Sequence, residues 1–402
     1  MNRIFPVNGK GRSLAALTVL TLLCGLLAFC NRTAGPVNVV DGRPEHLSDW
    51  KVLLVKGDRL ALNAGVVPYD LNTPLFSDYA HKFRTIWMPK GVAAKYDAEK
   101  AFDFPVGTII SKTFYYPRVA GAARDAKAVA VNYDVAGDFD GANLNLDKVR
   151  LIETRILVKR ANGWEALPYV WNADQSDAVL ERTGAQIALE PKRPEENAGK
   201  RITYVVPNVN QCAACHVSDV KSRQFEPLGP KARHMNRDYV YDGVAENQLT
   251  HLTKVGYLSG APEPATAPRN ANWADDKQAL DARARAYLDI NCGHCHNAKG
   301  AANTTALHLN MGAPADLHLG LCKPPVAAGR GTGDFPFDIV PGKPDQSILI
   351  YRINSDETGL MMPEIGRNSV HREGVELLKA WIAAWPGNCE QIGQEVKQGQ
   401  QG

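Results

Sequence analysis

A chain of 402 residues is long enough for two or three domains with cores of their own. At 45% hydrophobic and 22% charged, with 34 Gly and 25 Pro, it is globular and loop-rich, which excludes collagen, a coiled coil and a wholly disordered chain. The formal net charge of +3 is carried by Arg3, Lys10 and Arg12 in an acid-free N-terminal stretch; the remainder is neutral, so nothing points to nucleic acid.

Residues 14–29 form the one long apolar run, interrupted by Thr18, Thr21 and Gly25. Behind a basic start it reads as a secretory signal, too short for a comfortable membrane span. Leu27-Ala-Phe-Cys30 approximates a lipobox, with Phe29 where a small residue is preferred. Lipidation of Cys30, ordinary cleavage and a retained anchor all leave the body of the chain outside the cytoplasmic membrane. A periplasmic location is expected, with an N-terminal lipid or membrane anchor as one form of it.

Residues 46–200 read as a β-rich domain. Strand-like runs cover 107–116, 149–159 and 164–171, the last two joined through Ala161-Asn162-Gly163, a hairpin signal. Residues 119–148 are rich in Ala, Gly and Asp and read as a loose loop. Asp138-Phe-Asp140-Gly141 is only a fragment of a calcium loop, without the remaining ligand spacing.

The segment 201–258 opens extended, R-I-T-Y-V-V-P-N-V-N, and meets Cys212-Ala-Ala-Cys215-His216. C-x-x-C-H is the c-type haem attachment signature: two thiols add across the vinyl groups, and the adjacent histidine becomes the proximal iron ligand. Candidate distal ligands for this first haem are His251, on a helix expected over 244–258, then Met235, with His234, Met88 and His81 as further candidates. An open sixth position is the remaining alternative.

A Pro/Ala-rich linker, 259–272, precedes a cytochrome c domain over 273–390. Leu280, Ala284, Tyr287 and Leu288 form a helical stripe that ends at Cys292-Gly-His294-Cys295-His296, a second attachment motif. Cys215 and Cys292 lie 77 positions apart, far from zinc-ribbon spacing. Met361-Met362-Pro363 sits on a loop before the last helix, about 371–385, where Met362 is expected as the distal ligand of the second haem and Met361 as the fallback. Cys322 and Cys389 are left over as an even pair in an oxidising compartment, where a disulfide is expected. Residues 391–402, Gln- and Gly-rich, read as a disordered tail.

The strings P-L-F-S-D-Y-A (74–80), K-T-F-Y-Y-P (112–117), V-P-N-V-N-Q-C-A-A-C-H (206–216), L-G-P-K-A-R (228–233), A-R-A-Y-L-D-I-N-C-G-H-C-H (284–296) and M-M-P-E (361–364) resemble an uncharacterised family of bacterial di-haem c-type cytochromes, often found beside a parallel β-helix repeat protein. The resemblance spans about residues 47–385, with 119–148 as an insertion. It implies a periplasmic or membrane-attached haem protein and carries Cys212, Cys215, His216, Cys292, Cys295, His296 and the Met361-Met362 site onto matching positions; it names no substrate.

The expected fold class is therefore multidomain α+β: an N-terminal β-rich domain followed by two haem c segments, the second a mainly α, class I cytochrome c-like domain. The expected cofactors are two covalent haem c groups. The expected function is relay of single electrons between a periplasmic donor protein and an acceptor protein. Its rivals are a peroxidase-like enzyme with an open first haem fed by the second, and a binding module whose β domain docks a partner.

Overall fold

The computed structural model describes residue 1 and residues 35–390, apart from 38, 40, 134, 136, 142, 193–200, 218 and 327. The expected export signal with Cys30 and the expected tail lie outside the described residues. At the centre is a six-stranded antiparallel sheet whose spatial order repeats the chain order: β1 (Val67–Tyr69), β2 (His81–Trp87), β3 (Ile109–Pro117), β4 (Val149–Arg160), β5 (Gly163–Trp171) and β6 (Ala178–Leu180). β4 and β5 form the expected hairpin, closing at the Arg160↔Gly163 pair.

Both faces of the sheet are covered, which is why its central strands are buried or half-buried at every position. On one face Phe83, Ile109, Leu151, Ile156, Leu167 and Tyr169 pack with Trp50, Leu60 and Leu144. On the other, Ile86 and Ile110 join a cluster with Met235, Leu249 and Leu252, while Phe114, Tyr116 and Ile152 pack on Tyr204 and Val206. The two faces keep their identity past an irregularity: the β3–β4 pairing steps from Phe114↔Glu153 to Tyr115↔Leu151 and leaves Ile152 without a partner, a β-bulge.

Smaller sheets flank this one. Leu53–Lys56, Arg59–Leu62 and Asn143–Asn145 form one, and Ile202–Val206, Ala185–Lys192 and Ala128–Ala130 another. Two of these edge strands come from the 119–148 stretch, which is thus partly ordered into sheet. The helices are α1 (Val209–His216), α2 (Ala232–Met235), α3 (Gln248–Lys254), α4 (Leu280–Asn291), α5 (Ile348–Ile353) and α6 (Arg372–Ala383). The helix expected over 244–258 is shortened to α3, because 244–247 pairs with 238–241 as a ribbon across Asp242-Gly243.

The C-terminal core lies between α4 and α6, where Ala284, Tyr287 and Leu288 meet Val375, Leu378, Trp381 and Ile382. Trp381 Nε1 donates to Asp281 Oδ1 at 2.8 Å, tying the two helices at their far ends. Cys322 and Cys389 form the expected disulfide, with a Cα–Cα distance of 5.3 Å. No helix among the described residues is long and apolar enough to cross a membrane.

This architecture overturns the expected fold class. Among the described residues sixteen strands accompany only six α-helices, and no mainly α, class I cytochrome-like domain is present. Among the described residues beyond 273 the α-helices are three, of 12, 6 and 12 residues, joined by turns and single 3₁₀ turns. The reason is visible between 292 and 371, where Gly293, Gly300, Gly312, Gly320 and Gly342 break up any helical stripe. The described residues from Pro36 onward also cluster as one compact unit. The 76–79 loop joins the sheet to the C-terminal part: Phe76 N donates to Asn291 Oδ1 at 2.8 Å, and Asp78 Oδ1 accepts from Asn368 N and Ser369 N at 2.7 Å each.

Candidate functional site

The first Cys-x-x-Cys-His sits wholly on α1, and the local sequence explains why that short helix forms. Asn208 Oδ1 accepts from Gln211 N at 2.8 Å while Gln211 Oε1 accepts from Asn208 N at 2.9 Å, a capping box that satisfies two backbone donors. Helical winding then places Cys215 and His216 one turn after Cys212. His216 closes the helix, its ring stacked on Phe225 at 4.7 Å with a 2° interplanar angle. Its Nδ1 lies 2.7 Å from Glu226 O, so Nδ1 carries the proton and Nε2 keeps its lone pair. Burial pulls the imidazole down to about 4, which keeps it neutral at ordinary pH.

The second motif begins where α4 ends. Cys292 is its C-cap, and a Cβ on Gly293 would stand 2.7 Å from Asn310 Cα and 2.8 Å from Asp289 O, so only glycine fits that turn. His296 N donates to Cys292 O at 2.9 Å; its Nδ1 has the Thr305 hydroxyl at 3.5 Å, a long contact. Burial lowers His296 to about 4 and pushes the Cys292 thiol up to about 12.

The two motifs meet. One cleft of about 1710 Å³, its open side included, is lined by Cys212, Cys215 and His216 from the first and by Cys292 and His294 from the second. Cys295 Sγ reaches Ala214 O, inside the first motif, at 3.8 Å. Cys212, Cys215, Cys292 and Cys295 are all free thiols, unlike the bonded 322–389 pair.

Met362 lines this cleft, whereas Met361 is buried beside it with its N–H on Glu357 O at 2.9 Å. The two leading candidates for the first haem's distal position are not brought there. His251 is held by Glu246 Oε2 at 2.7 Å and stacked on Tyr241 at 3.5 Å, and Met235 is sealed among Leu249, Leu252 and Phe102. Met88 lies in that same apolar cluster, and His81 Nε2 faces Asn132 O at 2.8 Å. His234, by contrast, lines the cleft. It is 3% exposed, with Nε2 3.1 Å from Asp289 Oδ2 and Nδ1 without a hydrogen-bond partner. Asp289 also accepts from Arg233 at 2.8 and 3.0 Å, from Asn270 at 3.0 Å and from Met311 N at 2.8 Å. Against the upward push of burial, the bonds from His234 and Arg233 hold its carboxyl far below the usual range.

Sequence reading overlooked the cations of this cleft: Lys82, Arg84, Lys112, Arg155, Lys231 and Arg367 line it, and among the described residues no carboxylate does. Their signal is periodic. Lys82 and Arg84 alternate on β2, and Lys112 and Arg155 take the same face of β3 and β4, where apolar residues would be expected.

The donor set suits haem. Among the described residues no group of three or more His, Cys, Asp and Glu side chains is arranged to hold a metal ion by itself, as a zinc site would need. A thiol pair beside a histidine with Nδ1 anchored on a carbonyl fits covalent porphyrin attachment with a ligated iron. No family model matches the chain, and no curated protein or solved structure gives a significant match.

Proposed function

We propose that the chain is an exported di-haem c-type protein that relays single electrons between a donor and an acceptor protein in the periplasm. The observation that carries this is that Cys212, Cys215 and His216 of the first motif line one cleft with Cys292 and His294 of the second, the motifs touching through Cys295 and Ala214 while His296 lies outside the cleft lining. Bound haem supplies one-electron chemistry, its iron passing between ferric and ferrous states. Cys212 and Cys215 anchor one porphyrin and Cys292 and Cys295 the other. His216 and His296 are the proximal ligands; the Glu226 carbonyl fixes the His216 tautomer that leaves Nε2 for iron.

Met362 fills the distal position of the second haem, and its thioether favours a raised potential over substrate binding. For the first haem His234 replaces the expected His251 and Met235. The carboxylate of Asp289 behind its ring is the outer partner that ligating histidines commonly have. Saturated irons suit a carrier rather than a peroxidase.

The test is a pyridine haemochrome count on the full exported chain, with reduced-minus-oxidised spectra in the presence and absence of carbon monoxide. Two haems per chain, both low-spin and indifferent to carbon monoxide, are expected. A count below two refutes the di-haem reading. Ready carbon monoxide binding by one haem moves the case to the peroxidase-like alternative.

A further inference from the structure

The face of β2–β4 that looks into the cleft carries a charge pattern that no packing need explains. Arg84 pairs with Lys112 across β2 and β3, and Lys112 with Arg155 across β3 and β4, so three cations stand directly opposite one another on adjacent strands. Like charges in directly opposed positions repel, and the wall of a cleft cannot screen them as bulk water would. Two of the six cations lining the cleft are answered locally: Arg84 by Asp70 Oδ1 at 2.8 Å, and Arg155 by the fully buried Glu153 at 2.8 and 2.5 Å. The other four, Lys82, Lys112, Lys231 and Arg367, have no described carboxylate in ion-pair range.

We infer that this wall is a carboxylate-binding surface, on which Lys82 and Lys112 receive porphyrin propionates. The inference rests on the di-haem reading. Two haems bring propionates to a cleft where Lys82, Lys112 and Lys231 lack a carboxylate partner and no described acid lines the wall, so the signs match; Arg367 is already spent on the carbonyls of Met362, Ser355 and Ser369. Lys82 Nζ donates to Ala80 O at 3.0 Å and stands over the Phe114 ring at 5.5 Å, and Lys112 Nζ stands over the same ring at 5.2 Å. Burial first, then the neighbouring cations, pull Lys112 down to about 7 and Lys82 well below an ordinary lysine. A carboxylate placed among them would restore both charges. Arg84 and Arg155, already bonded, act as positioning residues that fix the row.

The experiment uses the holoprotein and the variants Lys82→Met, Lys112→Met and Lys112→Arg. Each is assayed for haem count and then titrated optically against potential. Wild type must show two haems; if it does not, the di-haem reading fails and this inference falls with it. With two haems present, each Lys→Met variant is expected to shift one haem's reduction equilibrium about tenfold toward the oxidised form, close to 59 mV for one electron. The lost positive charge had favoured the electron-rich state. Lys112→Arg should titrate as wild type. Loss of haem from the Met variants with retention in Lys112→Arg also supports the assignment, since only the charge separates them. Unchanged titrations in both Met variants overturn it. A free small carboxylate could satisfy the same cations, so wild type is also titrated with sodium succinate. A saturable Soret shift that vanishes in Lys112→Met would assign the wall to a diffusible anion and overturn the propionate assignment.

Discussion

The two Cys-x-x-Cys-His motifs share a cleft but are built by opposite means. The second caps a twelve-residue amphipathic helix whose stripe meets α6 in an apolar core, and its candidate distal methionine lies on the same C-terminal segment. The first rides on an eight-residue helix held by a side-chain capping box, and its surroundings come from far away: Lys112 and Arg155 from the sheet, His234 from α2, Asp289 from the other motif's helix. One site is local and apolar, the other long-range and charged. The β-rich region is thus a wall of the first site rather than a docking module set apart from it, which weakens the binding-module rival.

Substitution of the distal ligands separates the two sites most sharply. Met362→Ala should open the second haem to carbon monoxide and leave the first low-spin, and His234→Ala should do the reverse. Identical spectra for the two variants would dissolve the distinction. Next comes Asp289→Ala, which leaves Arg233 and His234 buried without their carboxylate. It should cost about 3–5 kcal/mol in denaturant unfolding and disturb both sites, because Asp289 sits on α4 yet supports His234.

Leu378→Ala, fully buried between α4 and α6, should cost about 2–5 kcal/mol and change the second haem's spectrum more than the first's. Asn208→Ala removes one half of the capping box and should cost about 1 kcal/mol, felt at the first motif alone. The smallest effect is electrostatic. Burial pushes Glu373 upward, but its backbone bond and the hydroxyls of Tyr79 and Tyr133 win and leave it depressed. Its contribution is therefore present above the unfolded value near 4.3 and fades as pH falls below that. Glu373→Gln should flatten the acid limb of stability below pH ~4 by about 0.5 kcal/mol or less, since the carboxylate is 38% exposed.

Local pattern made much of this legible. The runs that became β3, β4 and β5 read as strands, the stripes that became α4 and α6 read as helices, and cysteine parity alone isolated the 322–389 pair. The misplaced helix over 244–258 failed on turn chemistry. Asp242-Gly243, both at positive φ (49° and 82°), is a strong hairpin signal, and it sits between two runs of alternating residues. The class I fold was overextended from two real helices to a region that glycines keep irregular. His234 and the cation row were illegible for a different reason: each acquires meaning only through partners 28 or more residues away, such as Lys112 for Arg84 and Asp289 for His234. His251 attracted attention by type and helix position, yet its ring is spent on Glu246 and Tyr241.

Cys295 packs against the first motif although 80 residues separate it from Cys215 along the chain, and its hydrogen bond draws the Cys215 thiol toward the thiolate. Thiolate is the attacking form in exchange, and an oxidising compartment lets adjacent sulfurs bond. On the di-haem reading, a chain that closed its tertiary fold while still bare would bring Cys295 against the first motif with all four thiols free, where mispairing would compete with attachment. That reading therefore expects thioether formation to come before folding.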